Sequence, residues 1–220
     1  MKKETIIIEQ IPIGDYQVNT YLVACPETKE GVLIDPAGEE QRLAFLVRKA
    51  GVKLKYVLNT HGHADHVVAN QKLKQIFSVP VCMHESDDAF FSDGNVRKIT
   101  TKELGLPPPE PADILFKDKD IFKVGNLSIK VLHTPGHTPG SSCFLVGGNL
   151  FTGDTLFVGA VGRTDLTGGS LKTLLESLEK KIIPLPPETK IWPGHNYGDT
   201  PTSTIARETE ENPYITEFLF

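Results

Sequence analysis

Residues 59–70 read Asn59-Thr60-His61-Gly62-His63-Ala64-Asp65-His66-Val67-Val68-Ala69-Asn70, directly after the apolar run Tyr56-Val57-Leu58. Side chains two apart on an extended segment point the same way, so His61 and His63 can reach one cation. Asp65 and His66, past the bend, face a second. Neutral imidazoles and a carboxylate are the donors that borderline divalent metals prefer. Each residue has a plainer reading. Loop histidines are commonly surface groups, and Asp65 could cap a following helix with Ala69, Leu73, Ile76 and Phe77 on one face. His61, His63, Asp65 and His66 at this spacing outweigh that reading, and the stretch is read as a metal site.

Working outward, 220 residues suit one domain (1–220) with a substantial core, or two tightly fused halves. An apolar fraction of 39% and a charged fraction of 23% are ordinary for a soluble globular chain. A net charge of −5 gives no electrostatic reason to expect nucleic acid or an anionic membrane as partner. Ile6-Ile7-Ile8 is cut by Glu9, so no secretory signal is expected, and no run approaches the length of a membrane span. Cys25, Cys82 and Cys143 are odd in number, widely spaced and set among apolar residues, which points to buried free thiols. The expectation is a soluble cytoplasmic protein.

Strands are expected at 4–13 and 18–24 around Gly14-Asp15, and at 31–35, stopped by Pro36 and Gly38. Asp35 at that strand end either caps the helix at 39–50 or accepts a proton from a metal-bound imidazole. Lys55–Leu58 is the strand that delivers the metal loop. A helix at 67–77 and a strand at 79–83 follow, ending at His84, which reads as a surface or supporting histidine rather than a ligand. The polar, Pro-rich segment 92–118 is expected to be a covering loop or an excursion. Phe90 and Phe91 at its entrance either line a pocket or pack in the core. A hairpin at 121–132 around Gly125-Asn126 feeds His133-Thr134-Pro135-Gly136-His137-Thr138-Pro139-Gly140, a tight loop able to hold one imidazole rigidly. Strands at 141–146 and 149–152 precede Gly153-Asp154, where the aspartate could be a plain turn residue. Arg163 either binds an anionic substrate group or pairs with Asp165. A helix at 170–181 turns Leu171, Leu174, Leu175 and Leu178 inward. A last strand at 189–192 delivers Pro193-Gly194-His195-Asn196-Tyr197, and a short helix near 203–211 stops at Asn212-Pro213. Tyr197 touches substrate or merely packs.

The pattern His61-x-His63-x-Asp65-His66 after a strand resembles the signature of the metallo-β-lactamase-fold hydrolases, and the match runs from about Asp35 to Pro213. The resemblance implies an α/β fold, a four-layer αβ/βα sandwich of two sheets with helices on the outer faces. It implies that His137 joins His61 and His63 on one ion, that His195 joins Asp65 and His66 on the other, and that Asp154 bridges them. It also favours Asp35 as the imidazole partner and leaves His133 structural. His61 to His137 are expected in the first half of the fold, Asp154 and His195 in the second. Each follows a predicted strand, so the site should open at one edge of the sandwich.

Five imidazoles and two carboxylates suit two divalent ions roughly 3.5 Å apart, which lower the pKa of a bound water to about 7. Zinc is the first expectation, with iron or manganese open. Asp65 is the candidate proton acceptor. Within the family, an aspartate at 154 disfavours a β-lactamase, which usually has cysteine there. Phe151-Thr152-Gly153-Asp154-Thr155-Leu156-Phe157 is most similar to glyoxalase II, which implies hydrolysis of hydroxyacyl-glutathione thioesters and an anionic small-molecule substrate. Only residues 196–220 follow His195, and Gly162-Arg163-Thr164-Asp165 stands where long-form members carry a lysine- and tyrosine-bearing loop, so the chain is placed with the short glyoxalase-II-like members. Persulfide dioxygenases resemble the chain too, binding one iron through positions matching His61, His137 and Asp154. A lactonase is a third reading. Homo-oligomer formation is left open.

Overall fold

The computed structural model describes residues 5–219. β1 (Ile7–Ile13), β2 (Val18–Ala24), β3 (Glu30–Ile34), β4 (Lys53–Leu58), β5 (Val81–His84) and β6 (Ile114–Phe116) form one sheet in that order. β1 to β3 are antiparallel and β3 to β6 parallel. Every residue of β2 is buried, as expected for a strand covered on both faces. β7 (Ile121–Val124), β8 (Leu127–His133), β9 (Ser142–Val146) and β10 (Asn149–Gly153) begin the second sheet. After a small hairpin of β11 (Leu156–Phe157) and β12 (Ala160–Val161), β13 (Lys190–Pro193) and β14 (Ser203–Thr204) complete it, in the order β14-β13-β10-β9-β8-β7. β8 shows the alternation of a strand with one wet face, Leu127, Ile129 and Val131 inward and Ser128 and Lys130 outward.

The layering follows from where the apolar side chains meet. Tyr21, Val23, Val32, Ile34, Leu58 and Phe116 of the first sheet pack with Phe122, Ile129, Val131, Phe144 and Phe151 of the second in one shared core. On the outer face of the first sheet lie α1 (Glu40–Lys49), α2 (Ala64–Val67) and α3 (Asn70–Phe77), with Leu43, Val47 and Leu73 buried against Leu22, Leu33 and Val57. α4 (Glu85–Ser92) and α5 (Gly94–Leu104) follow β5. On the second sheet's outer face α6 (Leu171–Ser177), α7 (Ile205–Glu211) and α8 (Pro213–Thr216) bury Leu174, Ile205 and Ile215. The result is the expected four-layer α/β sandwich. All three cysteines are free and buried, and no helix among the described residues is long and apolar enough to cross a membrane.

Several expectations need correcting. The helix expected at 67–77 begins only at Asn70: Val67 ends a separate short helix, and the Ala69 N–H between them donates to the Pro36 carbonyl (3.0 Å). The segment 92–118 is not a loop throughout. Asp93 caps α5 through Asn95 N and Val96 N, Gly105 ends it at φ 69°, and Ile114–Phe116 adds the sixth strand. The helix at 170–181 stops early: Leu178–Ile182 is a π-helical turn, and Leu171 is exposed rather than inward. β13 is not the last strand. Of the two readings of His84, surface or supporting, the structure takes the second. His84 is buried, its Nδ1 accepts from Ser86 N (3.1 Å) to cap α4, and its ring stacks on His133 at 3.9 Å. His137 follows β8, so it belongs to the second sheet, not the first half.

Candidate metal centre

β8, β10 and β13 run in the same direction, so their C-terminal ends share one edge of the second sheet. From that edge come His137, Asp154 and His195, while the end of β4 supplies residues 59–66. Chain positions 61 and 195 thus meet because the ends of β4 in one sheet and β13 in the other lie at the same rim.

His61, His63 and His137 each offer a nitrogen, and these lie within 4.8 Å of one another. The same holds for donor atoms of Asp65, His66 and His195. Asp154 stands between the groups, with Oδ1 3.4 Å from His66 Nε2 and Oδ2 3.6 Å from both His137 Nε2 and His195 Nε2. All seven expected ligands are therefore brought together. Asp35, His61 and His66 form a third close set, but the Asp35 carboxylate is occupied with protein donors.

For His61, His66, His137 and His195 the ring nitrogen turned away from the centre is engaged. His66 Nδ1 faces Asp35 Oδ2 (3.2 Å), His137 Nδ1 the Arg163 carbonyl (2.7 Å) and His195 Nδ1 the Tyr16 carbonyl (3.1 Å). His61 Nδ1 meets Thr60 Oγ1 (3.1 Å), which donates to Asp35 Oδ2 (2.6 Å). Holding the proton on the outer nitrogen leaves the inner lone pair free, the arrangement metal-ligating imidazoles adopt. Asp35 thus takes the imidazole role and not the helix cap, since α1 is preceded by Glu39 with no side-chain cap. Its backbone sits at φ 49°, in the left-handed region unusual for a non-glycine residue.

The donor set fits a pair of cations. His61 Nε2 and Asp154 Oδ1 are buried with no hydrogen-bond partner, and His63 Nδ1 faces His137 Nε2 at 2.8 Å; an unpartnered buried acceptor costs about 1–3 kcal/mol. Burial, with repulsion from neighbouring imidazoles, holds His61 and His63 well below the usual histidine range. Burial also lowers His137. These rings therefore keep lone pairs at neutral pH, as ligation requires. For His66, burial opposes charge, but Asp154, Asp65 and Asp35 outweigh it and push it up to about 10. That position draws positive charge, whether proton or metal. Burial would raise Asp154, yet His66, His195 and His137 hold it below the carboxylate range.

Sequence reasoning missed three supports. The carbonyls of Tyr16 and Arg163 carry no side-chain signature. Asp87, noted only as a neighbour of His84, is fully buried and accepts from Gly62 N (2.8 Å), Thr138 Oγ1 (2.7 Å) and Gly140 N (2.5 Å). Its partners lie 25 to 53 residues away, beyond any local pattern. Phe91 packs rather than lining an open pocket, edge-on to His63 at 5.7 Å. The Arg163 guanidinium is exposed and pairs with both Asp165 oxygens at 2.8 Å. Tyr197 is 67% exposed and stacks on His195 at 5.1 Å. Beside Asp65 a half-open recess of about 190 Å³ is lined by Ile13, Tyr16, Val18, Val68 and Leu106.

Comparison with known proteins agrees with this geometry. Residues 13–195 match the model of the metallo-beta-lactamase superfamily. The chain is 35% identical over 213 residues to hydroxyacylglutathione hydrolase GloC of Haemophilus influenzae, covering 94% of this chain and 97% of that one. It is 34% identical over 200 residues to the mitochondrial persulfide dioxygenase ETHE1 of Homo sapiens, covering 90% and 71%. Among solved structures, the BLEG-1 B3 metallo-beta-lactamase superposes with a TM-score of 0.86 at 34% identity, over 96% of this chain and all of that one. With the sandwich, the rim of histidines and aspartates and this match all in agreement, the chain belongs to the metallo-beta-lactamase superfamily.

Proposed function

We propose that the chain is a dinuclear metal-dependent hydrolase acting on small anionic thioesters of the hydroxyacylglutathione type. The observation that carries this reading is the Asp154 carboxylate, set between two groups of histidine-rich donors, with Oδ2 equidistant from His137 of one and His195 of the other and Oδ1 toward His66. A carboxylate can span two cations, and an imidazole cannot. When bound, two divalent cations supply an activated water and polarise the scissile carbonyl. His61, His63 and His137 would hold one, Asp65, His66 and His195 the other, with zinc first and iron or manganese open on this donor set.

The chain's own residues supply the rest. Asp65, with only part of its carboxylate committed to the rim, takes the proton released as the tetrahedral intermediate forms. Asp35, Thr60 and the Tyr16 and Arg163 carbonyls fix the imidazole tautomers. Tyr197, exposed beside His195, offers a ring face to the substrate. Arg163 is held by Asp165 and acts first as a brace. An anionic thiol carrier would have to compete with Asp165 for it. Full-length similarity to GloC supports the thioester reading.

A second reading, a mononuclear-iron persulfide dioxygenase, is favoured by the similarity to ETHE1. A lactonase or a β-lactamase would use the same rim, the latter suggested by BLEG-1. Protein purified without oxygen, analysed for metals and assayed in parallel separates them. Two ions per chain with hydrolysis of S-lactoylglutathione supports the proposal. One iron with oxygen uptake on glutathione persulfide, or ring opening of lactones or β-lactams with an inert thioester, overturns it.

A further inference from the structure

Asp87 lies in α4, outside all the ligand-bearing loops, yet its carboxylate touches two of them. Oδ2 accepts from Gly62 N (2.8 Å), the residue between His61 and His63, and from Thr138 Oγ1 (2.7 Å), the residue after His137. Oδ1 accepts from Gly140 N (2.5 Å) in the same second loop. One turn further along α4, Phe91 occupies the space that a Cβ on Gly62 would need, and meets the His63 ring edge-on. The helix therefore grips both loops that supply the first group of donors. Asp65, His66 and His195 are held by other means: Asp35, the Tyr16 carbonyl, and β2, whose Asn19 and Tyr21 side chains donate to the Pro193 carbonyl at 3.0 and 2.6 Å.

We infer that Asp87 is a positioning residue that sets the affinity of the His61–His63–His137 position for its ion, independently of the Asp65–His66–His195 position. The inference rests on the two-ion reading above. Its physical basis is a count of acceptors. The carboxylate presents two acceptor oxygens to three neutral donors, whereas asparagine presents one oxygen and an NH2 group. In either orientation Asp87→Asn sets its NH2 against a backbone N–H: at the Oδ2 position it opposes Gly62 N and frees the first loop, and at the Oδ1 position it opposes Gly140 N and loosens the second.

The test is a stepwise cobalt(II) titration of the metal-stripped chain against a chromophoric chelator, for wild type, D87N and T138V. Circular dichroism and the midpoint of thermal unfolding report folding. The expected result is a dissociation constant for one ion raised about 10–100-fold in D87N, the range for outer hydrogen-bond partners of metal ligands, with the other unchanged. T138V, which keeps the charge and removes one of the three bonds, shifts the same constant less and carries the test if D87N does not fold. In an H195N background the weakened constant remains, which assigns it. Parallel weakening of both constants, or no shift in either, overturns the inference and leaves the dinuclear reading standing. A wild-type chain that takes one ion, still weakened by D87N, overturns the dinuclear reading alone. A wild-type chain that takes none overturns both.

Discussion

Asp35 shows how much one residue can be asked to do. Its carboxylate accepts from Thr60 N (2.7 Å) and Thr60 Oγ1 (2.6 Å) and faces His66 Nδ1 (3.2 Å), so it orients His66 directly and His61 through the threonine. Asp35→Asn removes one acceptor oxygen from that set. Both ions are expected to bind more weakly, the one on His66 by about 10–100-fold and the one on His61 by less. Competition with a chelator reads both constants, and an unchanged second constant would remove Asp35 from the site. Gly153 works by what it lacks. It sits at φ 49°, and a Cβ there would collide with the Thr60 side chain, so the Asp154 turn and the first ligand loop touch backbone to side chain. The pair Gly153-Asp154 is readable as a turn from sequence. That the turn is pressed against Thr60 is not.

At the level of the element, α4 is the piece whose stability reaches the site. His84 caps it, and burial, aided by the stacked His133, holds the His84 imidazole down to about 4 against the opposing pull of Glu85, Asp118 and Asp120. An unfolded chain takes that proton near pH 6.5, while the folded chain refuses it until about pH 4. Stability is therefore intact above pH 6.5 and falls as the pH drops from there toward 4. His84→Asn keeps a capping acceptor but does not titrate. Between pH 7 and pH 5, urea denaturation of H84N should show about 1–2 kcal/mol less destabilisation than wild type. Equal losses in the two proteins would show that His84 does not titrate against folding. Neither helix α4 nor α5 was expected from the sequence. Their apolar residues are few, and within the polar, Pro-rich run 92–118 the Asp93 carboxylate that caps α5 carries no periodic signal.

Over the whole molecule, the two sheets contribute to one centre: His61, His63, Asp65 and His66 from the first, His137, Asp154 and His195 from the second. Ions held there as proposed would pin one sheet to the other and would have no matching site in the unfolded chain. At a free metal concentration of about 1,000 times the dissociation constant, linkage gives about 4 kcal/mol. For a chain of this size that corresponds to roughly 10 °C in Tm. Calorimetry of the metal-stripped and metal-loaded chain checks this, and an unchanged Tm would mean that the ions do not join the sheets.

The amino-acid sequence by itself determined the ligand types and the strand before each candidate ligand, because metal donors and strand periodicity are local patterns; the α/β sandwich and the membership of the cluster followed from the family resemblance those motifs carry. Even the division of donors between two groups follows from spacing and resemblance. Only the tertiary structure decided that His137 hangs from the second sheet, that α4 clamps two loops through Asp87, and that main-chain carbonyls at 16 and 163 orient His195 and His137. Those contacts join residues 25 to 179 positions apart. Backbone oxygens are the same on every residue, and a buried carboxylate is recognisable only once its donors have arrived around it.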